Sequence, residues 1–220
     1  MKIDQHVHSS EISPCARLTI REVMDIYGET DYDAIVLTNH FNAESAAKLA
    51  EKGVTEDFHS RYHAVIREAE EIGRERGLLV LGGYEVRFNS ARRNDYLVYG
   101  MTEEQCRDYR AIFEMSPAEF SDKARREGFL FYQAHPFRDA ITIIEPKLLF
   151  GMEVKNTCPR YDCRNDIANA WADKYHLHKI GGSDCHRVWG AGLGGITTDF
   201  PVKNIPDLVH VLRNDLYTII

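Results

Sequence analysis

The alternation of short apolar runs with amphipathic stretches, from one end of the chain to the other, limits its fold more than any other feature. Ile3 to His8, Ala34 to Thr38, Leu78 to Phe88, Tyr96 to Tyr99, Phe129 to Ala134, Gly151 to Val154, Lys179 to Gly182 and Gly194 to Thr198 read as strands. Several are apolar throughout, as a strand covered on both faces must be. Between them, helices are expected over Thr19 to Tyr27, Thr55 to Arg76, Ser116 to Glu127, Asn165 to Tyr175 and Ile205 to Asn214. Ser116 supplies a cap, Pro117 a first helical position, and Gly77 a stop after the longest helix. Such a pattern predicts parallel strands joined by crossover helices. No G-x-G-x-x-G follows the first strand, so seven or so βα units fit a closed or distorted barrel better than an open, nucleotide-binding sheet. The 220 residues then form a single domain, 1–220.

Composition narrows the partners. With 27 basic and 34 acidic side chains the net charge is −7, and no lysine/arginine run is present. A broad basic face for long nucleic acid is therefore not expected, although a local basic pocket stays possible. No apolar run approaches the ~20 residues of a membrane span, and Met1-Lys2-Ile3-Asp4 opens no signal-peptide core, so a cytoplasmic protein is expected. Cys15, Cys106, Cys158, Cys163 and Cys185 are odd in number and irregularly spaced, which predicts free thiols.

The chemistry gathers where strands end. In His6-Val7-His8, alternation sends both imidazoles to one face about 7 Å apart, with Val7 on the other. In Gly182-Ser183-Asp184-Cys185-His186, Asp184 and His186 share a face and Cys185 turns away. His40 follows Ile35-Val36-Leu37-Thr38-Asn39, His135 ends Phe131-Tyr132-Gln133-Ala134 before Pro136, and Glu85 follows Leu79-Val80-Leu81 and a glycine pair. Any one of these has an ordinary structural explanation; five strands each finishing in a metal-ligating side chain do not share one. In a parallel barrel such ends lie on one face, so ligands far apart in sequence converge there. Imidazole with carboxylate suits a borderline divalent ion, with zinc, manganese or iron as candidates.

These ordered motifs, from His6-Val7-His8-Ser9 through Leu37-Thr38-Asn39-His40, Gly83-Tyr84-Glu85 and Ala134-His135-Pro136 to Gly182-Ser183-Asp184-Cys185-His186, resemble the PHP (polymerase and histidinol phosphatase) family of metallo-phosphoesterases. The resemblance implies a distorted (β/α)7 barrel that holds two or three divalent cations and hydrolyses phosphate esters. It implies His6, His8, Glu85 and Asp184 around one ion, a bridging Glu85 with His135 at a second, and His40 with His186 at a third. The chain departs from the family pattern at three places. Asn39 stands where an aspartate is common, and Asp95 stands where a further histidine is common. After the first motif, Glu11-Ile12-Ser13-Pro14-Cys15 offers Glu11 or Cys15 in place of an aspartate or histidine, and Glu11 is preferred because a hard carboxylate suits a hydrolytic site.

Other polar residues carry less. His59 and His63, spaced i, i+4, read as helix surface; His176, His178 and His210 read as structural; Asp4 either orients a ligand or is a buried carboxylate. For a phosphate clamp, Arg160 is the first choice and Arg17 the second, with Arg87, Arg138 and Arg187 also near strand ends. The expected activity is attack on phosphorus by a metal-bound hydroxide, on a small phosphomonoester such as histidinol phosphate or a nucleotide. A nuclease or nucleoside-bisphosphate phosphatase is the enzymatic alternative, and a non-catalytic metal-binding regulatory module the alternative from another class. The sequence leaves the oligomeric state open.

Overall fold

Helix starts are fixed by the caps. In the computed structural model, which describes residues 1–91 and 93–220, Thr19 and Ser116 each close a capping box, with Glu22 and with Glu119. They open α1 (Ile20–Gly28) and α5 (Pro117–Glu127), where Pro117 takes the first turn and Gly128 ends the helix in the left-handed region. Asp57 caps α3 (Phe58–Glu75), and α6 (Asn165–Tyr175) and α7 (Ile205–Arg213) fall where the patterning predicts them. Two short helices, α2 (Ala43–Glu51) and α4 (Tyr109–Glu114), are additional. In α2 Leu49 is the one apolar residue that is buried, and α4, which buries Tyr109, Ile112 and Phe113, has only six residues, too few for a helical period to show.

The strands are β1 (Lys2–Val7), β2 (Ala34–Leu37), β3 (His40–Phe41), β4 (Leu79–Gly82), β5 (Tyr84–Val86), β6 (Tyr96–Tyr99), β7 (Leu130–Gln133), β8 (Gly151–Asn156), β9 (His178–Gly182), β10 (Ile196–Thr197) and β11 (Thr218–Ile219). They form a five-stranded sheet, β11-β10-β1-β2-β4, and a six-stranded sheet, β3-β5-β6-β7-β8-β9. The apolar run 78–88 is thus two strands, because the chain passes from one sheet to the other at Gly83. A Cβ on Gly83 would meet the side chains of Val36 and Thr38 at 2.9 and 3.0 Å, so this crossing demands glycine. The chain makes the same passage from β2 to β3 through Thr38 and Asn39.

Pairing is parallel for β1–β2, β2–β4, β3–β5, β7–β8 and β8–β9. The expectation of parallel strands throughout is corrected at β6, antiparallel to both neighbours, and at the β1–β10–β11 edge. Only short loops precede β6, with no crossover helix between β5 and β6, so that strand can only return antiparallel. The free edge of β9 approaches β1: His8 N–H donates to the Cys185 carbonyl (3.0 Å) and Cys185 N–H to that of His6 (3.2 Å).

Two apolar clusters hold these layers, one around Val7, Met24, Leu37 and Val98 and a second around Ile3, Val36, Leu130 and Ile180. His59 and His63 are buried, which corrects the expectation of helix surface: the α3 face that carries them is covered by the segment around Glu103 and Cys106. Asp4 is a buried carboxylate that accepts from Ser183 N–H (3.0 Å), His6 N–H (3.2 Å) and the Tyr27 hydroxyl (2.5 Å). It thereby ties the end of β9 to β1. His178 lies at the opposite, amino end of β9, where it pairs with Asp215 and stacks on Phe150. No helix among the described residues is long and apolar enough to cross a membrane.

The β9–β1 approach leaves no room at Gly182, where a Cβ would stand 2.4 Å from the His6 Cβ and 3.0 Å from the His6 backbone nitrogen. Gly182→Ala must push the strands apart and is predicted to cost about 1–3 kcal/mol in chemical denaturation. Gly28→Ala, whose Cβ would meet nothing nearer than 3.6 Å, should leave the unfolding midpoint close to that of the parent. Equal midpoints for the two variants would contradict the packing described.

Candidate metal centre

The side chains at the carboxyl ends of β1, β9 and β7, together with those of β3 and β5, converge on one point. His6 Nε2 lies 3.3 Å from Glu85 Oε1 and 3.5 Å from Asp184 Oδ1, and His8 Nε2 lies 3.3 Å from Glu85 Oε2 and 3.5 Å from Asp184 Oδ1. His135 Nε2 is 3.1 Å from Glu85 Oε1, His40 Nδ1 is 2.8 Å from Glu85 Oε2, and His186 Nδ1 is 3.2 Å from Asp184 Oδ1. Seven of the eight ligands expected from the sequence are therefore neighbours, and all but the partly exposed His186 are buried.

Glu11 is the eighth, and it stands apart. Its carboxylate accepts the backbone N–H of Ile20 at 3.0 and 3.1 Å, where it satisfies a free donor at the amino end of α1. The Ser9–Ala16 turns instead set the exposed Cys15 at the rim of the cluster, with Sγ 3.1 Å from His40 Nε2 and 3.0 Å from His186 Nε2. Preference for a hard ligand was the wrong guide here, because the helix terminus claimed the carboxylate. Burial opposes ionisation of Cys15, but hydrogen bonds from His186 and His40 outweigh it and bring the thiol down to about 6.

A surrounding layer fixes which nitrogen of each imidazole faces inward. Ser13 donates its hydroxyl proton to Asn39 Oδ1 (2.8 Å) and accepts from His40 N–H (3.0 Å), so its contact with His8 Nδ1 (3.1 Å) makes that nitrogen the N–H. His6 Nδ1 meets Glu153 Oε1 at 2.9 Å and is likewise the protonated nitrogen. In the neutral, ligating form of each ring it is then Nε2 that carries the lone pair. The two Nε2 atoms are buried without a hydrogen-bond partner, and His40 Nδ1 meets Glu85 Oε2 at 2.8 Å beside them. Unpartnered buried polar atoms are costly, and two in one place call for something that fills them. Two donors about 2.1 Å from a shared tetrahedral ion stand roughly 3.4 Å apart. The measured 3.3–3.5 Å edges among His6, His8, Glu85 and Asp184 match that, so the residues present fit a divalent cation.

Sequence reasoning missed Glu153 and Ser13. Glu153 also accepts His135 N–H (2.8 Å) and an Asn156 amide proton (3.0 Å), and its one legible sign was a carboxylate inside the apolar strand β8. Asn39 does not face the cluster; it accepts from Ser9 N–H (2.7 Å) and from Ser13, which gives the departure at this position a positioning role. Asp95 lies at the edge, 3.9 Å from His135 Nε2, and is held bidentately by Arg87 at 2.7 and 2.8 Å.

Electrostatics keep the centre assembled. Burial opposes charge on His6 and His40, but the neighbouring carboxylates, Glu153 foremost for His6 and Glu85 for His40, hold both imidazoles well above their ordinary range; against burial, these imidazoles in turn hold the Glu85 carboxyl well below its own, and His6 and His186 do the same for Asp184. Burial, with the neighbouring His186, depresses His8 well below the ordinary imidazole range and leaves it neutral. Two of these residues have left-handed backbones, His135 (φ 28°) and Asp184 (φ 52°), which are strained positions of the sort that concentrate at functional sites.

The cleft above the cluster has a volume of about 240 Å³ and is lined by Cys15, His40, Asp95, Arg138, Arg160 and Tyr161 among others. Arg160 is exposed, with its guanidinium 5.3 Å from the Tyr161 ring centroid. Arg138 lies over the same ring at 4.2 Å and is already committed to Asp184 Oδ2 (2.7 Å) and Asn156 Oδ1 (3.2 Å). Arg17 is exposed and lies outside the residues lining the cleft; only its backbone N–H, bonded to the His186 carbonyl, reaches the site. A larger hollow of about 550 Å³ between α2, α3 and α4 is lined by Leu49, Phe58, Tyr109 and Phe113 and contains none of the candidate ligands.

Comparison with known proteins agrees with this geometry. Residues 163–215, the segment that supplies Asp184 and His186, match the PHP_C family, described as PHP-associated. No curated protein sequence matches the chain. Among solved structures, PsfC from Pseudomonas syringae is similar over 99% of this chain and 90% of its own, with a TM-score of 0.68 and 18% identity. A protein classed as a candidate metal-dependent phosphoesterase from Bifidobacterium adolescentis is similar over 96% and 95%, with a TM-score of 0.56 and 13% identity. The lesion-specific endonuclease EndoQ from Pyrococcus furiosus is similar over 99% of this chain and 57% of its own, with a TM-score of 0.63 and 13% identity. The mixed α/β fold is thus shared along nearly the whole length, and the PHP-associated family match falls on the segment that carries the last of the ordered motifs, in agreement with the resemblance drawn from them.

Proposed function

We propose that the chain is a metal-dependent phosphoesterase whose strands close a distorted (β/α)7 barrel around two or three divalent ions, and that it hydrolyses a small phosphomonoester. The observation that carries this reading is the pair of imidazoles His6 and His8, whose Nδ1 atoms are committed to Glu153 and Ser13 while bare Nε2 atoms face Glu85 and Asp184. His6, His8, Glu85 and Asp184 hold one ion, and Glu85 with His135 a second. His40 and His186 belong to a third. Bound there, such ions supply Lewis acidity toward phosphate oxygens and acidify water. The chain's own residues do the rest. Glu153 and Ser13 keep the imidazoles in the ligating tautomer, and Arg138 holds Asp184 in place. Arg160 at the rim binds the substrate phosphate, its planar fork matching two oxygens.

A cleft of about 240 Å³ and a net charge of −7 favour a small substrate over a long polyanion. The fold shared with EndoQ supports a second reading, a nuclease, and incubation with short oligonucleotides beside a panel of phosphomonoesters separates the two. Release of inorganic phosphate from monoesters with intact oligonucleotides is the expected result; cleaved internodes would favour the nuclease.

His8→Ala and Asp184→Ala are predicted to remove metal and hydrolysis together while the far-ultraviolet circular dichroism persists. Unchanged turnover in both would sink the assignment. Glu153→Gln keeps the shape of the side chain and loses its charge, so metal affinity should fall by about 10–100-fold, as read by competition with a chromogenic chelator; parental affinity would remove the orienting role. Arg160→Lys should be nearly as harmful as Arg160→Ala, each costing on the order of 2–4 kcal/mol in kcat/KM with metal content unchanged. Normal kinetics in Arg160→Ala would show that the clamp lies elsewhere.

A further inference from the structure

Cys15 occupies the place at the mouth of the cluster where neither carboxylate nor imidazole is found. Its sulfur is nearly equidistant from two imidazole nitrogens on different elements, His40 Nε2 at 3.1 Å and His186 Nε2 at 3.0 Å. A metal with Zn–S and Zn–N bonds of ordinary length separates S from N by about 3.1 Å at a right-angled edge and about 3.5 Å at a tetrahedral one. The triad is thus within a few tenths of an ångström of a ligating arrangement. His8, His40 and His186 also form a compact imidazole cluster, with ring centroids 4.2 Å apart for His8–His186 and 4.7 Å for His8–His40. Within it the buried His8 Nε2 lacks a hydrogen-bond partner.

We propose that Cys15 is a thiolate ligand of the third ion, together with His40 and His186, so that the centre combines one sulfur-bearing position with positions built only from nitrogen and oxygen. The inference rests on the metal-centre reading above and concerns this chain's own departure within it. On binding, the thiol releases its proton to solvent and the sulfur lone pair forms the bond to the ion. Thiolate selects softer divalent ions such as zinc or cobalt, whereas the carboxylate-rich position around Glu85 also accepts manganese. A mixed-metal centre follows: zinc or cobalt should enter the Cys15 position ahead of manganese.

Cobalt(II) titration of the metal-free full-length protein tests this without reference to activity. The expected result is a thiolate-to-cobalt charge-transfer band in the near ultraviolet alongside the visible ligand-field bands. Cys15→Ser should lose the charge-transfer band and keep the visible bands of the cobalt that remains, while Cys106→Ser keeps both. Cys106 is the informative control because it forms the other sulfur-containing cluster, with His59 and His63. In parallel, zinc should shield Cys15 from iodoacetamide, read by peptide mass spectrometry, whereas manganese should not. Visible bands without a charge-transfer band in the parent, or a band that survives in Cys15→Ser and vanishes in Cys106→Ser, would overturn this proposal and leave the metal centre standing. Failure of the parent to bind cobalt at all would overturn both.

Discussion

The arrangement depends on Glu85, a buried carboxylate that lies within 3.3 Å of four imidazoles, those of His6, His8, His40 and His135. An isolated carboxylate at such depth would be strongly disfavoured, and its neighbours alone make it tolerable. Glu85 sits on β5, just past the glycine at which the chain leaves one sheet for the other, so its location is a consequence of that crossing. The two sheets meet at the same place. The position that joins the fold is therefore the position that gathers the site.

Four elements far apart in sequence must agree for this to work. Asp4 anchors the end of β9 to β1, Glu153 on β8 reaches His6 and the backbone of His135, and Asn39 fixes the Ser9–Ser13 turn through which His8 is oriented. Each is a hydrogen bond between buried groups, where satisfied polar networks rigidify and broken ones are costly. The unpartnered Nε2 atoms of His6 and His8 both face Glu85 and Asp184, which is the arrangement a cation completes. The ligands gather at one end of the strands while the apolar clusters lie beneath them, so loss of a ligand need not unfold the chain, whereas a Cβ at Gly182 would press on the His6 backbone itself.

Much of this was legible in the sequence, and the limits have physical causes. Strand ends carrying His6, His8, His40, Glu85, His135, Asp184 and His186 were visible because a buried strand is an apolar run and its last residue stands out against it. The antiparallel course of β6 was not visible, since periodicity reports burial and says nothing of direction. Glu11 and Cys15 lie four residues apart in one loop, and residue type alone favoured the carboxylate; only the turn geometry shows that Glu11 caps α1 while Cys15 faces the imidazoles. Glu153 was hidden for the opposite reason, as a charged residue inside a strand gives no sign of its partner 147 positions away. His59 and His63 looked exposed because a charged helix face and a face covered by a loop have the same sequence pattern.

On the reading proposed above, the Nε2 atoms of His6 and His8 form a cation site with Glu85 and Asp184. Anomalous X-ray diffraction from crystals grown with zinc or manganese, with data collected on either side of the metal's absorption edge, tests it most directly. A strong anomalous peak is expected about 2.0–2.3 Å from both Nε2 atoms and from carboxylate oxygens of Glu85 and Asp184. Crystals that bind metal elsewhere and show no peak among these four side chains would contradict it.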